Sequence, residues 1–328
     1  MNIKLTAILA TLSLSVCFGS ATQAADWPQR SIRLIVPGSP GGAADIPARL
    51  FAEKLGEKLG QSVVVENKPG AGGIIGLRAL ASAKPDGYTL TLTPAATIAV
   101  VPWLQEDPSQ HPAKQLTPIG LFAYTPLAIA VKSDSRFKTL DELLSASRQD
   151  SEPLVIANPG VNTLAHLSSQ LVNTRSGANL LPVSFSGFSG GMQAIHNGDA
   201  TAIIDGISPI LAQAQSGAFK ILAIASDKPL PGLEAYPLLN QAVPNTVSTG
   251  WFGLFGPENL PASISEKLSE TLEQIRQDAA LTQKLQTMGI YASDKDTPAS
   301  FATYVQQQST LWGDLIKEGE AKGNAAKR

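Results

Sequence analysis

The chain has a single cysteine in 328 residues. It stands at Cys17, inside an apolar stretch near the N-terminus, so the rest of the chain can form neither an internal disulfide nor a thiolate metal site. Histidine is nearly as scarce, and His111, His166 and His196 are too scattered to make a metal-ligand spacing. Charged residues make up only 16% and nearly balance, at −2, with no run of Lys and Arg. That excludes the electrostatic footprint of a nucleic-acid binder. A membrane-spanning helix needs about 20 consecutive apolar residues. The apolar stretch here covers residues 5–18 and is broken by Thr and Ser.

That stretch follows Lys4 and runs into Gly19, Ser20 and Ala21 ahead of Thr22, Gln23 and Ala24. The pattern is that of a secretory signal peptide over residues 1–24, cleaved after Ala24, which implies export without a membrane anchor. A lipid on Cys17 is the alternative, disfavoured because Val16 is bulkier than such processing requires. Removal of the segment leaves 24 basic and 27 acidic residues, a net charge of −3. A chain of that sign must bind an anion through local dipoles and not through its global field.

What is present is enough apolar residue, 43%, for a packed globule, and enough length for two domains. From Trp27 onward short β-rich runs alternate with helical patterns, the mark of an α/β fold with largely parallel sheets. Strands are expected at 31–36, 62–65 and 88–92, then at 126–131, 153–157, 180–185, 201–205 and 220–224. Ala48, Phe51, Ala52, Leu55 and Leu59 make one face of a helix. Residues 228–249 carry little periodicity and many Pro and Asn, after which 251–255 reads as a buried strand and 262–277, 279–288 and 297–319 as helices. The expected layout is discontinuous: one domain from 26–125 plus 228–328, with 126–227 inserted as the second.

Three glycine-bearing loops sit where a strand ends and a helix begins, the edge at which open α/β sheets bind ligands. In the first, Gly38, Ser39, Gly41, Gly42 and Ala43 precede Asp45, and the amides of Gly41, Gly42 and Ala43 are expected to converge on an anion at a helix N-terminus. Asp45 reads as the N-cap of that helix. The second holds Gly160, Asn162 and Thr163 before a helix carrying His166, and Thr163 reads either as a ligand donor or as a cap. The third, Gly187, Phe188, Ser189, Gly190 and Gly191, matches the nucleophile elbow G-x-S-x-G. An esterase needs an acid and then a histidine after the serine, and His196, seven residues on in the same predicted helix, cannot fold back to Ser189. The loop therefore reads as a ligand neighbour. Residues 70–76 approximate a dinucleotide fingerprint, but Gly76 stands one place late and the chain is exported, so no cofactor is expected.

At these same loops the sequence resembles the tripartite tricarboxylate transporter substrate-binding family, the Bug family of periplasmic receptors. The resemblance rests on Ile32-Arg33-Leu34-Ile35-Val36-Pro37 running into Pro40-Gly41-Gly42 and Asp45, on Ala48-Arg49, on Val64-Val65-Glu66-Asn67-Lys68-Pro69-Gly70-Ala71-Gly72-Gly73 with Gly76, and on Pro85-Asp86-Gly87-Tyr88-Thr89-Leu90. It implies a two-lobed, type II-like periplasmic binding protein whose loops grip a ligand carboxylate through backbone amides. The first grip falls on residues 38–45 and the second on Thr163 to Leu167, with Asp205 as an aspartate facing the cleft. Departures occur at Gly38, where the family usually has an aromatic residue, at Asn162 for a glycine, and at Val101 for an asparagine. Ser184-Phe185-Ser186-Gly187 replaces Pro-Tyr-Lys-Gly and loses a positive charge. The expectation is thus a monomeric, non-enzymatic receptor for a small carboxylate, a mono- or dicarboxylate before citrate, serving membrane transporter subunits. A ligand sensor for a membrane signalling protein would share the same site. Asp45 or Asp205 would select a hydroxyl or amino group beside the carboxylate, and hinges would lie near 125 and 228.

Overall fold

The computed structural model describes residues 27–325, apart from 106, 108–110, 245, 247, 248 and 295. The signal-peptide reading of residues 1–24, with Cys17, lies outside the described residues. The chain builds two α/β lobes, each around its own mixed sheet.

The first sheet contains β1 (Ile32–Val36), β2 (Val63–Asn67), β3 (Thr89–Pro94) and β4 (Leu116–Thr125) from the first part of the chain. The second is made wholly of β5 (Leu127–Lys132), β6 (Leu154–Asn158), β7 (Leu180–Ser184), β8 (Ala202–Gly206) and β9 (Phe219–Ile224), in the order β7-β6-β8-β5-β9. The chain then returns with β10 (Gly250–Pro257) and the short β11 (Tyr291–Ala292), and the first sheet reads β11-β4-β10-β3-β1-β2. β10 is buried at every position, because it sits between β3 and β4 with both faces covered.

The sheets are less parallel than the alternation of strands and helices predicts. β1, β2 and β3 run parallel, as do β7, β6 and β8, but β10 pairs antiparallel with β3 and β4, and β5 antiparallel with β8 and β9. The reason is the double crossing: β5 and β10, on which the chain enters each lobe, run against the βα units there, while β4 and β9, on which it leaves, run with them. β4 itself is absent from the sequence reading, since Pro118 and Gly120 interrupt its pattern. Two register shifts against β10 leave Phe122 and Ile119 as extra, unpaired residues of β4, bulges that displace its alternation again.

Helices cover both faces of each sheet. On the first, α1 (Asp45–Leu59), α8 (Ala262–Arg276) and α9 (Ala279–Gln286) enclose one core around Phe51, Phe122 and Leu272. α2 (Ile74–Ala81) and α10 (Pro298–Ala325) enclose the other, around Trp251, Phe301 and Trp312. On the second sheet, α3 (Leu140–Gln149), α4 (Leu164–Ser176) and the short α7 (Leu239–Ala242) lie on one face, and α5 (Gly187–Asn197) and α6 (Ile207–Gln215) on the other. α4 also presents Leu167 and Leu171 to the α10 side of the first lobe, so the lobes touch through an apolar seam as well as through the crossings. Where the two crossing strands meet, Gly250 lies against Thr125 so closely that a Cβ would strike its hydroxyl and carbonyl oxygens. Among the described residues no helix is long and apolar enough to cross a membrane.

Candidate functional site

Strand register decides which loops can meet. Val36 is level with Asn67, and Ile35 with Thr91, so the loops leaving β1, β2 and β3 share one edge of the first sheet. That edge adjoins the crossing, since Phe252 lies opposite Pro94 and Gly250 opposite Thr125. In the second lobe Asn158 is level with Ser184, and Gly206 with Leu127, which places the loops leaving β6, β7 and β8 on the edge adjoining the same crossing. The two sets of strand-to-helix loops thus belong to edges on either side of the hinge.

The first loop is held from behind. Asp45 is buried, and both of its carboxylate oxygens are in use: Oδ2 accepts from the Gly41 amide at 2.8 Å and from Arg49 Nε at 2.9 Å, and Oδ1 from Asn67 Nδ2 at 2.9 Å. Asn67 also donates to the Gly38 carbonyl at 3.1 Å. The Arg49 guanidinium, aided by the Gly41 amide and Asn67, outweighs the cost of burial and holds the carboxyl at about 2. Asp45 is therefore not the N-cap expected of it: Ala44 occupies that position and Asp45 is the first helical residue, tying the loop through Gly41. The Gly42 amide is likewise spent, donating to the Ser39 carbonyl at 3.1 Å. The amides of Ala43 and Ala44 carry no such bond, and they stand at the positive end of α1.

The neighbouring loop after β2 packs behind this one. Gly76 on α2 has no room for a side chain, because a Cβ would lie 3.0 Å from Pro37 Cα and 3.1 Å from the Lys68 carbonyl oxygen. The late glycine that spoils the dinucleotide pattern is a close-packing position between α2 and the first loop. Val101 lies with its methyl groups against Gly72, giving this edge an apolar surface.

The second loop is organised by its own side chains. Asn158 accepts from the Gly160 amide at 3.2 Å and from Ser184 Oγ at 2.8 Å, while its buried Nδ2 has no partner. Thr163 caps α4, taking the His166 amide at 3.2 Å and donating to the Gly160 carbonyl at 2.7 Å, so its hydroxyl is committed to the loop. His166 Nδ1 accepts from the Asn162 amide at 3.2 Å, and burial lowers the pKa of the ring, which keeps it neutral. Asn162 adopts the left-handed region at φ 60°. That region is open to glycine, and asparagine is the side-chain-bearing residue that tolerates it best.

At the third loop the Gly187 amide donates to the carbonyls of Pro159 and Phe185, at 3.2 and 3.0 Å, pinning the start of α5 beside the second loop. The next amides, of Phe188 and Ser189, belong to the first helical turn, whose donors have no intrahelical acceptor. The Phe188 ring packs edge-on to Phe219 at 6.5 Å, and His196 lies against the same ring at 6.0 Å, away from any elbow at the exposed Ser189. Asp205 ends β8 on this edge. Its Oδ1 accepts the Gly206 amide at 2.7 Å, and its Oδ2 is buried without a partner. Burial pushes the carboxyl up to about 6, against the opposing pull of that amide.

The register sets the expected loops on the two edges beside the crossing, and internal bonds take the amides of Gly41, Gly42 and Asn162 and the hydroxyl of Thr163, but not the amides of Ala43 and Ala44. The supporting residues Arg49, Asn67 and Asn158 carry no ligand signal of their own in sequence, although all three lie in or beside the glycine-bearing motifs.

Residues 47–320 match the profile of a family described as "Tripartite tricarboxylate transporter family receptor". A UPF0065 protein of Bordetella bronchiseptica is 33% identical over 88% of this chain and 85% of its own length. Among solved structures, Rpa4515 of R. palustris with adipate is 27% identical, with a TM-score of 0.71 over 89% of this chain and 98% of its own. MatC of Rhodopseudomonas palustris with bound malate is 27% identical, with a TM-score of 0.67 over 88% and 99%.

Proposed function

The chain belongs to the tripartite tricarboxylate transporter receptor family, and from that membership we propose that it is a periplasmic solute receptor that takes a mono- or dicarboxylate between its lobes and delivers it to a membrane transporter. The observation that carries this reading is the pair of facing edges, each bearing backbone amides without internal partners: Ala43 and Ala44 on one lobe, Phe188 and Ser189 on the other. Helix-terminal amides suit a carboxylate, and they do so without a countercharge. The cation beside the first loop, Arg49, is engaged by Asp45 and Asn67, and the third loop, from Phe185 to Gly191, carries no cation. A trianion would find little to neutralise it.

The flanks favour an acid with a hydrocarbon body. Ile46 and Ile75, at the starts of α1 and α2, and Val161 in the second loop are among the large apolar residues left exposed, at 46%, 51% and 69%. A Cβ on Gly38 would meet only Ala44 Cβ at 3.9 Å, so the absent aromatic ring leaves space. Adipate and malate, bound by the two R. palustris proteins, are both dicarboxylates, and the apolar flanks favour adipate as the better analogue for this site. Gly38, Ser39, Gly160, Gly187 and Asp205 complete the lining, and of the two aspartates Asp205 is the one with an oxygen that has no internal partner. Closure turns on Pro126 and on the return segment after β9, and the protein acts as a monomer and binds without chemistry.

Calorimetric titration of the protein with adipate, malate, pentanoate and citrate tests this. A four- to six-carbon mono- or dicarboxylate is expected to bind most tightly, stabilising the fold by about 2.7 kcal/mol at 100 times its Kd. Citrate binding tighter than every mono- and dicarboxylate, or a response confined to neutral and cationic compounds, would overturn it.

A further inference from the structure

We propose that β11 is a strap shared by the two lobes, which holds the Asp205 end of the cleft to the first lobe as the lobes move and makes Gly289 and Tyr291 positioning residues for the ligand site. What the strap does for a ligand rests on the receptor reading; how it joins the lobes does not. β11 runs beside the last residues of β4, with Tyr291 level with Tyr124 and Ala292 with Ala123, just ahead of the crossing at Thr125. Side chains alternate between opposite sides of extended chain. Ile290, just before β11, lies in the core of the first lobe with Phe122 and Leu285, whereas Tyr291, 4% exposed, lies in the core of the second with Ile207, Ile210 and Leu230.

On the first lobe the strap is fixed by a buried arginine. Arg276 Nη1 donates to the Leu121 carbonyl at 2.6 Å, to Ser293 Oγ at 3.0 Å and to Asp296 Oδ1 at 2.6 Å, and Asp296 Oδ2 accepts the Leu121 amide at 2.8 Å. Ser293 adds its own amide to the Phe122 carbonyl at 3.2 Å. On the second lobe the hold is steric. Gly289 has φ 68°, and a Cβ there would lie 2.9 Å from Ile207 Cγ2 and 3.1 Å from the Ser208 amide nitrogen, so its backbone meets the first turn of α6 with nothing between. Lys228, on the return segment, pairs with Asp294 just past β11.

Ile207 and Ser208 follow closely on Asp205, and the Ile207 amide donates to the Pro126 carbonyl at 2.9 Å, so the end of β8 is tied both to the crossing and to the strap. The other contact between the lobes is looser. Where α4 meets α10, a cavity of about 140 Å³ remains between Leu171, Arg175, Leu311 and Leu315, room into which the helices can shift. A lobe that turns about a fixed strap and slides along a loose seam moves least at Asp205 and most at the strands farthest from the crossing. β2 lies four strands from β4, about 19 Å, and β7 three from β5, about 14 Å, against about 5 Å for β11. Asp205 therefore keeps its place relative to the first loop, while the second and third loops arrive on closing.

Distances between pairs of spin labels, measured by pulsed electron resonance in the ligand-free chain, test this in a Cys17→Ser background that leaves no other thiol. One pair, Ala212→Cys on α6 with Lys284→Cys on α9, spans the strap, and the other, Val64→Cys on β2 with Leu181→Cys on β7, spans the outer strands; all four positions are exposed. The outer distribution is expected to be at least about twice as wide as the one across the strap, given how much farther those strands lie from the crossing. Tyr291→Ala is expected to widen the strap pair about twofold, and Tyr291→Phe, which keeps the ring, to leave it unchanged. A strap pair as wide as the outer pair, or one not widened in folded Tyr291→Ala, would overturn the strap. The first outcome needs no change at β11, and because no ligand is added, both are independent of what the cleft binds.

Discussion

The carboxylate of Asp45 reaches back to the amide of Gly41 at 2.8 Å, and by taking that donor it decides which amides of the loop remain for a ligand. The same carboxylate gathers Arg49 and Asn67, so one buried acid ties α1, β2 and the loop together.

Because that carboxyl lies at about 2 in the folded chain against 3.8 ordinarily, its contribution is complete above the ordinary value and is lost as pH falls toward the folded one. Asp45→Asn is expected to cost about 2 kcal/mol in urea denaturation near neutral pH, with the deficit shrinking between about pH 4 and pH 2. A deficit independent of pH would separate the residue from the role given to it.

Asp205 has the opposite sign. Its folded carboxyl is raised to about 6, so the folded state holds the proton more tightly, and the relative stability present below 3.8 is lost as pH rises through 6. Asp205→Asn is expected to match the parent near pH 4 and to exceed it by about 2 kcal/mol above pH 7, read from paired denaturation curves. A ligand group that donates to Oδ2 should reduce that difference when bound.

At Asn162 the backbone, and not the side chain, is what the site needs, since the amide holds His166. Asn162→Gly is expected to stay within about 0.5 kcal/mol of the parent, while Asn162→Val, forced into left-handed backbone, loses about 2 kcal/mol and weakens carboxylate binding with it. Chemical denaturation and calorimetry check the pair.

The loop amides can be tested directly. Ala43 is the second residue of the turn closed by the Asp45 amide on the Gly42 carbonyl, a position that proline favours, so Ala43→Pro deletes one N–H at little backbone cost. Carboxylate affinity is expected to fall about tenfold with the melting temperature nearly unchanged. Unaltered affinity would move the anion elsewhere along the edge.

Much of this is legible in the amino-acid sequence. β1 and β10 announce themselves as apolar runs, and α1 by the spacing of Ala48, Phe51, Ala52 and Leu55, because burial on a sheet or helix face imposes a period. β4 is hidden because Pro118 and Gly120 break that period and the bulges at Ile119 and Phe122 displace it again. The site shows the same division. Glycine and proline locate the loops, since backbone that turns sharply requires them. Which amides stay free depends on bonds such as Gly42 to Ser39 and Asn162 to His166, which exist only once the loop has folded back on itself.

The position of β10 bears on how the chain is assembled. The second sheet is contiguous in sequence and complete once residue 224 has emerged, whereas the first lacks the strand that joins β3 to β4 until residues 250–257 arrive. The inserted half can therefore reach its native pairing while the half that surrounds it is still two unconnected pieces. The last joint made is the central one, so a chain halted before residue 250 would hold one finished lobe and one that cannot close.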